Sequence, residues 1–418
     1  MKRPEFGSLP FNKQSTTPTN TDSQANKKNE QETVTDKPLY TGRYLIKLID
    51  GQDCRVVRKV LESKLGFKVA CSDDFKDIAI TEFGIENSDA LIYKDLGIAL
   101  IDGEEQQIKR IQSATTNFII EPEKIVYLPG DIQGVPDISS TWGLRATKVI
   151  HSNFTGKGVK VAVLDTGLDL QHPDFTGRQI HAESFVPNEA VEDLHGHGTH
   201  CIGTACGKTD INHKRYGIAS DSVIYAGKVL SNQGSGAQSW ILNAITWAVK
   251  NGCKVISMSL GSKVFPGQSY DLAYERVAQY ALSKGCIIVA AAGNDSIRSQ
   301  NVFAPVGSPA DCPSILAVAA IDPDFNVADF SNRSINPTGK IAIAAPGVMV
   351  LSSWPMPKRY NTISGTSMAT PHVAGILALL WEKHPNATPQ QIIEKLKAKA
   401  KNISLQSIDV GVGLTIAP

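Results

Sequence analysis

The chain has 418 residues, of which 42% are apolar, so it is long enough to bury a large core, and its formal charge is +1. That near-neutral balance gives no electrostatic reason to expect nucleic acid or a membrane surface as a partner, and no apolar run reaches membrane-spanning length. Seven cysteines (Cys54, Cys71, Cys201, Cys206, Cys253, Cys286 and Cys312) form an odd set without framework spacing, so free buried thiols are expected.

Residues 1–37 are rich in Thr, Asn, Gln, Lys and Ser and nearly free of large aliphatic side chains, which predicts disorder. They also lack the apolar core of a secretory signal, so the chain is expected to stay in the cytoplasm or to be exported by a non-standard route. Over 38–128 the pattern changes. Strands are predicted at 43–49 and 96–101, helices at 54–65 and 104–114, and a final extended piece at 117–128, with room for a strand around 68–83. This order suggests a small α+β domain of ferredoxin-like type. Residues 129–136 read as a linker that Gly130 and Gly134 make flexible.

From 137 to 418, apolar strands alternate with helices. Residues 159–164 (VKVAVL) read as a buried strand that ends in Asp165, and further strands are predicted at 223–230, 255–260, 287–292 and 315–320. Helices over 240–251 and 270–285 complete a doubly wound α/β domain with a mostly parallel sheet. A carboxylate at a strand's C-terminal end lies where such sheets place their sites. The run HGHGTHCIG (195–203) sets His197 between glycines ahead of a helical stretch. In GTSMATPHVAG (365–375), Ser367 opens a helix that is buried over 373–381, with Pro371 near its start, where a missing N–H costs least.

A serine at a helix start is by itself most often a cap, an Asp after a strand is usually a turn, and clustered His can be metal ligands. Taken together, in the order Asp, His, Ser, they fit one chemistry. A hydroxyl is a poor nucleophile near neutral pH and needs a base to take its proton and a third group to orient that base. Ser367, His197 and Asp165 supply these parts, and the unpaired N–H groups of the helix start would stabilise an oxyanion beside Ser367.

The chain resembles the subtilases, the subtilisin-like and proteinase K-like serine endopeptidases of peptidase family S8. The matching runs are DTGLDLQHPDF around Asp165, HGTHCIGT around His197 and GTSMATPHVAG around Ser367, with AAAGND at 290–295 as a fourth. The resemblance implies that Asn294 donates its side-chain amide to the oxyanion together with the Ser367 N–H. An amide does this without titrating. Acid-active relatives carry Glu for the His and Asp for the Asn, so His197 and Asn294 imply neutral or alkaline activity.

By the same resemblance, Gly234, Ser235 and Gly236 on one side and Ser259, Leu260 and Gly261 on the other hold substrate as an added strand. Leu260, Ala291, Ala292, Gly293 and Gly307 would line the pocket for the residue before the scissile bond. Those small, uncharged walls predict broad specificity with a preference for Leu, Phe, Tyr or Met, and Asp295 could add tolerance for a basic residue. The domain at 38–128 resembles an inhibitory propeptide. That implies a self-processing zymogen whose tail at 121–128 lies in the substrate cleft and whose cleavage falls within 128–137. Cys201 matches a residue of the proteinase K-like and thiol-dependent members, which implies that it packs under His197 and is not a nucleophile.

No cofactor is implied for the chemistry and no metal ligand is assigned. Asp174 matches a carboxylate that ligates structural calcium in many members, but Lys208, His213, Lys214 and Arg215 crowd the loop that should complete the site. A high-affinity site there is therefore expected to be absent or altered, with calcium elsewhere left open. The expected partners are protein or peptide substrates and the chain's own propeptide, in a monomer. A peptide ligase, or a maturation protease for one precursor, would share the same acylation. A non-catalytic peptide binder is the remaining alternative, and the intact set of Asp165, His197, Ser367 and Asn294 argues against it.

Overall fold

The structure, a computed structural model, describes residues 40–48, 54–75, 80, 88–102, 108, 118–127, 132–133, 141–211 and 215–418. The segment 1–37, nearly all of the helix expected over 104–114 and most of the linker 129–136 fall outside them. The N-terminal part comprises β1 (Tyr40–Leu48), α1 (Cys54–Leu65), β2 (Val69–Cys71), β3 (Ala90–Tyr93), β4 (Ile98–Ile101) and β5 (Phe118–Tyr127). Its strands lie in the order β5-β1-β4-β3-β2. On α1, Val57 and Leu61 are one turn apart and pack on Ile46, Ile92 and Ile101.

The strand foreseen around 68–83 is met by the three residues of β2, with 76–79 and 81–87 outside the described residues. A strand not foreseen, β3, is a fully buried ALIY run too short to show a period. The strand foreseen over 96–101 starts at Ile98, because Lys94–Leu96 form a 3₁₀ turn.

The remaining elements are β6 (Ile132–Gln133), α2 (Trp142–Ala146), β7 (Lys160–Asp165), β8 (Ile180–Ser184), α3 (His197–Cys206), β9 (Val223–Lys228), β10 (Ser235–Ala237), α4 (Gln238–Lys250) and β11 (Val255–Met258). They continue through α5 (Leu272–Ser283), β12 (Ile287–Ala291), β13 (Leu316–Ile321), β14 (Ile341–Pro346), β15 (Val350–Ser353), β16 (Tyr360–Ser364), α6 (Thr366–Lys383), α7 (Pro389–Lys399) and α8 (Ser407–Val410). Seven strands form one sheet in the order β14-β13-β12-β11-β7-β9-β8, with every neighbouring pair parallel.

Strand residues alternate between the two faces. Val161, Val163, Val289 and Val318 join the core under α3 and α6, whereas Ala162, Leu164, Ala290 and Ala319 join the core under α4 and α5. Because both faces are covered, the strands are apolar throughout, which is why they read as continuous hydrophobic runs. The chain order reverses between β7 and β11. Asp165, the last residue of β7, therefore stands at the switch point of the sheet, where a crevice opens beyond the strand ends.

Strand β5 extends the N-terminal sheet onto β10, antiparallel, with Tyr127 opposite Ser235 and Ile125 opposite Ala237. The two residues of β6 pair antiparallel with β16, placing Ile132 opposite Ser364. Helix α6 is buried from Thr366 to Trp381, and Gly375 lies against Ile218 and the Ala205 carbonyl of α3. A Cβ at this position would meet Ile218 Cγ2 at 2.7 Å and the Ala205 carbonyl oxygen at 2.9 Å. Neither neighbour can give way without moving backbone. Gly375→Ala should therefore lower stability by about 1–3 kcal/mol in urea denaturation. Unchanged stability would show that the two helices are not held at this distance.

Candidate active site

The sheet and α3 together set the first contact. Asp165 is 1% exposed and His197, the first residue of α3, is fully buried. The His197 Nδ1–H donates to Asp165 Oδ1 at 2.8 Å, and the Thr166 N–H donates to the same oxygen at 2.7 Å. With its proton on Nδ1, the imidazole carries the lone pair on Nε2, as a base requires. Helix α3 approaches the loop after β7 this closely because residue 198 is glycine. The Gly198 N–H donates to Thr166 Oγ1 at 2.8 Å, and a Cβ there would run into the Gly167 backbone.

A residue that the motifs did not bring out holds the two segments together. Buried Asp193 accepts at Oδ1 from Thr166 Oγ1 (2.9 Å), His195 N (3.1 Å) and Gly196 N (2.8 Å). At Oδ2 it accepts from Thr199 N (2.8 Å) and Thr199 Oγ1 (2.7 Å). A carboxylate at this place also suits the positive end of α3. The available local signal is an Asp four residues ahead of the helix start at His197. Behind Asp165, buried Lys228 donates from Nζ to the Thr166 carbonyl oxygen at 2.6 Å and to Asn232 Oδ1 at 2.8 Å.

Ser367 is the second residue of α6 and is fully buried. Its N–H is one of the four that a helix start leaves without an intrahelical partner. Pro371 corrects the expectation: it lies inside the helix, not in its first turn. Having no N–H, it cannot bond the carbonyl four residues back, which is that of Ser367. Ser259 Oγ donates to that carbonyl instead, at 2.7 Å, and the Cys201 thiol at 3.6 Å. Cys201 Sγ is also 3.7 Å from His197 Nδ1, so this thiol spans the two segments.

Burial pushes the Cys201 thiol up to about 12, which keeps it protonated. The Asp165, His197 and Cys201 ligand atoms lie within 4.8 Å of one another. A metal held there would need the thiolate and would break the bond between Asp165 and His197. His200 is structural. Its Nε2–H donates to the Val350 carbonyl oxygen at 3.0 Å, and burial together with the charge of His197 lowers it to about 3.

The side-chain oxygen of Asn294 accepts from Thr366 N at 2.9 Å and from Thr366 Oγ1 at 2.7 Å. This fixes the amide with its oxygen on Thr366 and its NH₂ as the donor end, beside the N-terminus of α6. Among the residues expected to bind substrate, Ser235 and Gly236 lie on β10, directly after Gly234, and face β5. Ser259, Leu260 and Gly261 run on from β11. The Gly307 N–H donates to the Ala292 carbonyl oxygen at 2.9 Å, and Ser262 bridges to Ser308, so the segments at 259–262, 291–293 and 307–308 meet. Leu260 is fully buried, Ala291 and Ala292 nearly so, and Gly293 has φ 107°. The Asp295 carboxylate accepts from Asn332 Nδ2 at 2.9 Å.

Asp174 does not present itself to a cation. It accepts from Tyr360 OH (3.0 Å) and Arg359 Nη2 (3.3 Å) at Oδ1 and from Tyr216 OH (2.9 Å) at Oδ2. A guanidinium and two phenol donors do not fit a calcium shell, which needs oxygen acceptors. Arg359, which the sequence reading does not single out, is one of the donors that engage this carboxylate. Lys208 pairs with Asp221 at 3.2 Å, and His213 and Lys214 lie outside the described residues.

One family model and three relatives bear on this geometry. A family model described as the Subtilase family matches residues 156–413. Subtilisin E of Bacillus subtilis (strain 168) is 36% identical over 358 residues, covering 84% of this chain and 87% of that protein. The subtilisin of Bacillus pumilus is 39% identical over 273 residues, 65% of this chain and 94% of the relative. The cuticle-degrading protease of Metarhizium anisopliae is 33% identical over 325 residues, 73% and 76% respectively.

The network around Asp193 generates a direct test. Asp193→Ala strands five donors among the described residues. It should cost about 3 kcal/mol in denaturant unfolding. Hydrolysis of a peptide should lose about 10²-fold in kcat with a smaller change in KM, because the imidazole loses its place rather than the substrate its contacts. A kcat within twofold of wild type would contradict a positioning role.

Proposed function

The chain belongs to the subtilase family and is a serine endopeptidase, and from that premise we propose that Ser367 is its nucleophile, made as a self-processing zymogen. His197 takes the Ser367 proton, and Asp165 holds the imidazole in the required tautomer and stabilises the imidazolium that forms. The tetrahedral oxyanion is met by the Ser367 N–H and the Asn294 amide. His197 then returns its proton to the leaving amine, and water repeats the sequence on the acyl-enzyme. No cofactor takes part.

Substrate lies along Gly234, Ser235 and Gly236 as an added strand, with Ser259 to Gly261 on its other side. The walls at Leu260, Ala291, Ala292, Gly293 and Gly307 are small and uncharged, which favours Leu, Phe, Tyr or Met before the scissile bond and leaves specificity broad. Asp295 is already engaged by Asn332, so its help to a basic residue is slight.

The zymogen reading rests on one observation. The chain pairs with β10 at Tyr127 on one side of the site and with β16 at Ile132 on the other, and Ser364 opposite Ile132 is three residues before Ser367. Residues 128–131 join these two strands and lie outside the described residues. We place self-cleavage within 128–137 in a monomeric enzyme; 38–128 is an intramolecular inhibitor of the uncut chain and is held without a covalent link after the cut. Ser367 and His197 are both covered from solvent in this form, as suits an unprocessed chain.

The test is N-terminal sequencing of the purified wild type beside Ser367→Ala. The expected result is a new terminus within 128–137 in the wild type alone. The same terminus in both proteins, or an intact wild type that hydrolyses peptides, would refute self-processing.

A further inference from the structure

Buried Asp271 of the C-terminal part faces two lysines of the N-terminal part, and Asp311 lies beside it, since the Cys312 thiol reaches both the Asp271 carbonyl oxygen (3.5 Å) and Asp311 Oδ1 (3.9 Å). Asp271 is 4% exposed and Asp311 3% exposed. Asp271 spends Oδ1 on the start of α5, accepting from Ala273 N at 2.8 Å and Tyr274 N at 3.4 Å. Its Oδ2 is left for Lys124, whose Nζ lies 3.1 Å away. Lys47, fully buried, sits 3.6 Å from Asp271 Oδ1 and also bonds Glu121.

Burial alone would push Asp271 up, yet Lys47 and Lys124 outweigh it and hold the group at about 2. Burial pushes Asp311 up to about 7, with Lys124 pulling down and Asp271 adding to the rise. Tyr274 is fully buried in the field of Asp271 and Asp311, and its hydroxyl finds no hydrogen-bond partner among the described residues. With residues 38–128 in place, a site this dry does not tolerate a carboxylate without a cationic partner.

Lys124 is part of the strand that occupies β10. Its N–H reaches Gln238 Oε1 at 3.4 Å, and the next residue, Ile125, is the register partner of Ala237. Any peptide laid on β10 in this register presents a side chain to Asp271 at the same place. When residues 38–128 leave, Lys47 and Lys124 leave with them, and Asp271 loses both ammonium partners.

We propose that Asp271 and Asp311 form a subsite that binds a lysine or arginine side chain of the substrate, at the position Lys124 takes three residues before Tyr127. The subsite rests on the reading that substrates lie on β10 as β5 does. It selects by charge at a distance from the scissile bond, alongside the apolar pocket next to it.

The experiment uses the self-processed enzyme and three internally quenched peptides that copy residues 118–137, with the position of Lys124 left as Lys or changed to Ala or Glu. Expected kcat/KM is about threefold higher for Lys than for Ala and about tenfold higher than for Glu, with the advantage shrinking at high salt. Asp271→Asn, which keeps the oxygen that caps α5, and Asp311→Asn should each bring the three peptides closer together. Equal cleavage of all three by the wild type, or a Lys preference unchanged in both variants, would overturn the subsite. Cleavage of none would instead overturn the peptidase reading beneath it.

Discussion

A single hydrogen bond of 2.8 Å, between His197 and Asp165, sets the tolerance to which the rest of the molecule is built. It joins a strand end to a helix start where neither group meets water, so a shift of either element leaves a buried polar group without its partner. The parallel sheet fixes Asp165, since β7 is flanked on both sides, by β11 and β9. Asp193 fixes His197 relative to the loop that follows Asp165. Glycine at 198 lets the two backbones come within reach. The geometry of the site is thus a consequence of fold and of two small local devices.

Ser367 reaches the same place by a different physical route. Helix α6 is buried almost along its length and could satisfy its own backbone, but Pro371 breaks one bond of the ladder. The carbonyl released is that of Ser367, and it draws in Ser259 from the end of β11 and Cys201 from α3. An imperfection in the helix therefore ties the serine to the strand and the helix that carry the rest of the site. It also explains a buried thiol beside the imidazole: Cys201 fills space and donates a weak hydrogen bond, and burial keeps it protonated.

The sequence made the main parts legible because they follow local rules. Strands covered on both faces read as apolar runs, and the motifs around Asp165, His197 and Ser367 carry their glycines and helix starts with them. What stayed hidden depends on tertiary partners. Asp193 is one acidic residue among several until Thr166 and Thr199 fold around it. Arg359 lies 185 residues after Asp174, and nothing local marks it as that carboxylate's partner. Pro371 reads as a residue near a helix start, and only the structure shows that the helix begins five residues earlier, at Thr366, so that the missing N–H falls inside the ladder. The pairing of β6 involves two residues, too few to show a period.

The central claim is that these segments make the Ser367 hydroxyl a nucleophile. Its most direct measurement is labelling of the self-processed protein with a fluorophosphonate, followed by peptide mapping. The account predicts one modification, on Ser367, and its loss in a His197→Ala protein that an added protease has cut within 128–137. A folded, processed protein that leaves Ser367 unmodified, or that reacts equally well without His197, would contradict it.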